Sequence, residues 1–167
     1  MYFGFVVSMW IHLLAAITWI GGLLFITMVI VPTLRMPEMR ANALVLLRVT
    51  GRKFQRIAYA TFVALVATGT TNLLLKAGSW SAVAALMPTT YGHLLIAKVA
   101  LVLAVIALAL YHDFVVGPAA ARAMESDPRG GVALALRKRA SWIGRINTLL
   151  SLVIMTLALL LVRGVPG

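Results

Sequence analysis

Residues 91–116 read YGHLLIAKVALVLAVIALALYHDFVV, an apolar run whose body is interrupted by one lysine, Lys98. A helix that crosses a bilayer needs about 20 mostly apolar residues, range roughly 17 to 25, so this run is long enough to span. A charge at such a depth is costly, and its ordinary place is a protein interior or a cavity. Three further runs have the same length and character: residues 4–31, 56–76 and 144–163, with charge only at their ends. The chain is 62% hydrophobic and 11% charged, the composition of an integral membrane protein. The expected fold is all-α, a four-helix transmembrane bundle forming one domain over residues 1–167, with basic connections at 32–55 and 117–143.

The net charge of +11 is a matter of topology rather than of nucleic-acid binding. Arg35, Arg40, Arg48, Arg52, Lys53 and Arg56 fill the first connection, and Arg122, Arg129, Arg137, Lys138, Arg139 and Arg145 the third; only Lys76 and Arg163 lie at the opposite ends of the spans. Basic connections stay in the cytoplasm, which places both termini on the periplasmic side of a bacterial inner membrane. The same charge can attract anionic headgroups. The first apolar run lacks a basic leader and is about twice the length of a signal-peptide core, so it reads as a retained helix. There are no cysteines, which excludes thiolate metal sites, iron–sulfur clusters and thiol catalysis.

Breaks in the pattern come at Pro32 and Pro37, at Gly78, Trp80 and Pro88, and at Gly117-Pro118. Proline lacks an N–H and cannot continue a regular helix, so Pro32 and Gly117-Pro118 are expected to open the first and third connections. Trp80 is expected as an interfacial anchor.

Counted from the periplasmic boundary, His12 and Lys98 each lie six residues in, or about 9 Å at helical rise. Asn72 and Thr68 of the second span, and Thr156 and Met155 of the fourth, reach the same level. At 100° per residue, Ser8, Met9, His12, Ala15, Ala16 and Trp19 share one face; Thr61, Ala64, Thr68 and Asn72 a second; Tyr91, Lys98, Val105 and His112 a third; and Asn147, Ser151 and Ala158 a fourth. His93 points about 140° away from Lys98. Turning these faces together gives a polar core, although small and hydroxylated residues also serve plain helix packing. A second cluster, at the cytoplasmic side, is expected from His112, Asp113, Arg145 and Asn147, with Asp113 and Arg145 as an ion pair.

Two ligand chemistries fit this residue set. Haem b takes a neutral imidazole as axial ligand, and His12 beside Ala15 and Ala16 could admit the flat macrocycle, with Lys98 or Asn72 addressing its other side. Copper(I) prefers thioether and imidazole, and Met9 and His12 at i and i+3 could share one ion, with Met155, Met87 or His93 as further donors. No Walker loop, Rossmann glycine signature, serine triad or zinc-hydrolase motif is present.

Specific strings carry a resemblance. The run His12-Leu-Leu-Ala-Ala-Ile-Thr-Trp19-Ile-Gly21-Gly22-Leu23, the Thr68-Gly69 followed by Asn72, and Thr90-Tyr91-Gly92 followed by Leu94, Leu95 and Lys98 resemble the copper-resistance protein D family. That resemblance implies an inner-membrane bacterial protein of copper uptake or tolerance. The chain is also similar to HemJ-type protoporphyrinogen oxidases through His12, Trp19, Gly22 and Leu23, Lys98, Tyr111-His112, and Arg145 with Asn147. It implies His12 as haem ligand and Lys98 as part of the active site, the candidate catalytic residue; the matching Trp19 and His112, with Asn72 from the reading of the residues above, complete the expected cofactor-binding set.

Three functions are therefore expected as alternatives. The first is copper handling through a metal site of His12, Met9 and His93 in the outer half of the bundle. The second is a haem-dependent membrane oxidoreductase. The third is a non-catalytic subunit of a larger complex. A lone bundle of this size is a poor conduit, so transport calls for a homo-oligomer or a membrane partner within the lipid bilayer.

Overall fold

The structure is a computed structural model that describes residues 2–39 and 41–163; Arg40, counted above with the first basic connection, lies outside the described residues. Four long helices dominate: α1 (Tyr2–Thr33), α2 (Ala43–Ala77), α4 (Thr90–Ser126) and α5 (Gly131–Arg163), each long and apolar enough to cross a membrane. The short α3 (Trp80–Leu86) joins α2 to α4. Among the described residues there is no strand. The protein is an all-α, multi-pass membrane protein.

Pro32 and Pro118 do not end their helices, contrary to the expectation from sequence. Each stands two residues after a π turn, Ile26–Ile30 in α1 and His112–Val116 in α4. The Val31 N–H reaches back to Ile26 O and the Gly117 N–H to His112 O, five residues each, so the widened turn relieves the clash that a proline ring makes with the preceding turn. The helix therefore runs through both prolines. A single 3-10 turn, Pro37–Met39, lies between α1 and α2.

With 35 residues, α2 is about 52 Å long at helical rise, well beyond the ~30 Å hydrocarbon thickness. Its first turns, carrying Arg48, Arg52 and Lys53, project past the apolar zone. Arg48 forms an ion pair with Glu125 near the end of α4, which ties the projecting turns together. At the other end, Gly78 closes α2 in the left-handed conformation (φ 86°), which glycine adopts without steric cost. Ser79 then caps α3 and Thr89 caps α4, each hydroxyl accepting a backbone N–H three residues on.

α1 packs along α2 and α4 along α5, with α1 also meeting α5. All four long helices contribute to one apolar cluster: Trp19, Ala58, Phe62, Val105 and Ile154. Trp19 meets Phe62 edge to face, centroids 5.1 Å apart. The outer surface is a band of exposed aliphatics such as Val63, Leu103, Leu149 and Leu159, as a lipid-facing surface requires.

Candidate functional site

The basic connections define one end of the bundle; the polar level lies toward the opposite end. There the Met9–His12 pair of α1 faces the Thr68–Asn72 pair of α2. The i, i+3 spacing on one helix meets i, i+4 on the other, so two cross-helix bonds form in register. His12 Nδ1 lies 2.8 Å from Thr68 Oγ1, and Asn72 Nδ2 donates to Met9 Sδ at 3.4 Å.

The direction of the first bond can be fixed. Thr68 Oγ1 donates its own proton to the Ala64 carbonyl at 2.5 Å, so toward His12 it can only accept. This bond calls for the His12 tautomer with its proton on Nδ1, which in the neutral ring puts the lone pair on Nε2. That is the arrangement in which a metal-binding histidine is held when its other nitrogen donates to a fixed oxygen. The ring lies against the α2 backbone at Gly69, where a Cβ would stand 3.4 Å from His12 Cε1, in ordinary van der Waals contact.

The surroundings are polar and incompletely satisfied. Ser8 Oγ and Asn72 Oδ1 are shielded from solvent without a hydrogen-bond partner. Such atoms are ordinarily satisfied by water or a ligand. Lys98 of α4 is half-buried, within electrostatic reach of His12, and makes no ion pair among the described residues. From α5 the buried polar residues are Asn147, Thr148 and Ser151, which lie about 7 to 14 Å from this level toward the basic end of the bundle. Thr156 and Met155, expected at this level, are instead exposed, and Thr156 Oγ1 donates back to Leu152 O at 3.0 Å. Depth is set by counting along the helix, but facing depends on its rotation, which here turns Asn147 and Ser151 inward.

The remaining expected residues are separated from this level. Trp19 is 3% exposed and packed on Phe62 in the apolar core. His93 is exposed on the first turn of α4. His112 is fourteen residues beyond Lys98, about 21 Å along the same helix. Its Nδ1 lies 2.9 Å from Asp113 Oδ1, while Asp113 Oδ2 accepts from Tyr59 Oη at 3.0 Å and Gln55 Nε2 donates to the same hydroxyl at 3.2 Å. The expected Asp113–Arg145 ion pair is replaced by this network, because Tyr59 of α2 satisfies the carboxylate and Arg145 lies over the Trp142 ring. Tyr59 and Gln55 were missed by the sequence reading; their i, i+4 polar spacing near the basic end was the available signal. Among the described residues no three His, Asp or Glu side chains gather into a metal-binding group.

These features define a multi-pass helical membrane protein with an imidazole and a thioether held at a polar level between two helices. Residues 48–161 match the copper resistance protein D family, and the chain belongs to it. The matched region holds Thr68, Asn72, Lys98 and His112, while Met9 and His12 lie outside it. An uncharacterized protein of Aquifex aeolicus (strain VF5) is 28% identical over 153 residues, covering 89% of each chain. No solved structure matches. Family membership supports a membrane function related to copper resistance and gives no support to haem or to an oxidoreductase.

Proposed function

We propose that the chain handles copper(I) as cargo in the bacterial inner membrane, receiving it at His12 and Met9 in the periplasmic half of a single-domain bundle. The observation that carries this reading is the Thr68 hydroxyl, hydrogen-bonded to His12 Nδ1 one helical turn from the Met9 thioether that Asn72 engages. Copper(I) accepts few, soft donors, so an imidazole and a thioether suit it even where no larger ligand cluster exists. Met9 is 40% exposed and can be approached from outside the core. Asn72 orients its sulfur without using both lone pairs.

Lys98 gives the site its second property. Where Lys98 carries its proton, the ammonium group opposes a metal cation at His12, which favours release over storage. His93, exposed near the same end of α4, is a further donor on the approach. With the small polar level of one chain, passage across the bilayer requires a second copy or a membrane partner.

The test is metal content and visible spectrum of detergent-purified protein. Copper(I) binding at one equivalent, colourless and lost in His12→Gln, is the expected result. A Soret band lost in the same variant would replace copper with haem; a protein that takes up neither would make the polar level a packing device of a larger complex.

A further inference from the structure

We propose that Lys138, Trp142 and Arg145 on α5 form a binding site for the phosphate headgroup of an anionic phospholipid. The three stand at i, i+4 and i+7, so their side chains leave the helix within about 60° of one another at 100° per residue. Leu149 continues the stripe, and all four are exposed. Along the helix the surface passes from an ammonium, through an indole and a guanidinium, to an aliphatic face. A phospholipid presents water, phosphate and acyl chain in that same order.

The arginine is arranged for a phosphate. Its guanidinium lies 5.5 Å from the centroid of Trp142, itself 52% exposed. Stacking occupies the flat face of a guanidinium and leaves its edge N–H donors free for bidentate contact with phosphate oxygens. Trp142 meanwhile sits where the basic turns give way to the apolar span, the position that tryptophan favours at a membrane interface.

Neighbouring cations are engaged differently. Arg48 pairs with Glu125, Arg122 donates to Pro118 O, and Arg139 donates to Tyr111 Oη at 2.6 Å. Among the described residues Lys138 and Arg145 have no carboxylate partner. The counter-charge for this stripe must come from outside the chain, and an anionic leaflet supplies it at that height. A soluble phosphate ester would make the ionic contact but leave Leu149 uncovered.

Native mass spectrometry of the purified full chain in neutral detergent, titrated with phosphatidylglycerol or phosphatidylcholine, tests the site. Wild type is expected to prefer phosphatidylglycerol, and K138Q/R145Q to weaken that binding about 25-fold, roughly fivefold for each cation. R35Q/R129Q removes the same charge from the same end and is expected to change it by less than about twofold, with glycerol phosphate failing to displace the lipid. Equal losses in the two double variants would reduce the site to diffuse surface charge and overturn the proposal. So would an unchanged K138Q/R145Q, a wild type without lipid preference, or displacement by glycerol phosphate. None of these outcomes depends on copper binding.

Discussion

Thr68 decides what His12 can do, because a hydroxyl that has donated its proton to Ala64 O can only accept from the imidazole. Removing that oxygen while keeping the shape tests the link directly. Thr68→Val should lower copper(I) affinity at least about tenfold, as loss of a partner to a metal-binding histidine does, whereas Thr68→Ser should stay near wild type. A competition titration against a copper(I) chelator reads both; equal behaviour of the two variants would show that the hydroxyl does not orient the ring for metal. Lys98 predicts a change of opposite sign. Replacing the ammonium in Lys98→Leu removes a repulsion from a partly buried site without adding a donor and should tighten copper(I) binding on the order of tenfold. Weaker binding in Lys98→Leu would instead make the amine a ligand.

At the scale of the helix, much was legible because apolar runs and 100° periodicity depend only on local sequence. The inward set of Ser8, Thr68, Asn147 and Ser151 follows from that counting. What could not be read depends on contacts between helices. Thr156 has the correct depth but the wrong rotation, and Asp113 finds its partner on α2, fifty-four residues away, in Tyr59. Pro32 and Pro118 form a third case: their local chemistry forecasts a break, but a π turn placed before each lets the helix continue. The Tyr59–Asp113 bond joins α2 to α4 within the second of these turns, and Tyr59 also stacks on Phe114, 6.4 Å between centroids. Tyr59→Phe keeps the stacking and loses the bond. It should cost about 1 kcal/mol, as should Asp113→Asn, and the double variant should cost clearly less than the sum. Thermal unfolding in detergent checks this; strict additivity would mean that the two side chains do not stabilise one another.

Across the whole molecule the two helix pairs echo each other. α1 and α4 each carry a nitrogen side chain near one end, His12 and Lys98, and a π turn followed by proline near the other. α2 and α5 return with their basic turns at the proline end, so the described cations of the first and third connections gather on one side. That asymmetry underlies the assignment of His12 to the periplasmic half. It can be tested cleanly because the chain has no cysteine of its own. In intact spheroplasts, Arg129→Cys should resist a membrane-impermeant maleimide until the membrane is permeabilised, whereas Ser81→Cys, on the exposed α3, should react at once. The reverse pattern would turn the bundle over: His12 and Met9 would then meet copper from the cytoplasm, and export rather than uptake would be the direction that the site serves. Labelling of both positions from outside would put them on one side of the membrane, exclude the single crossing by α4 between them and with it the four-span topology.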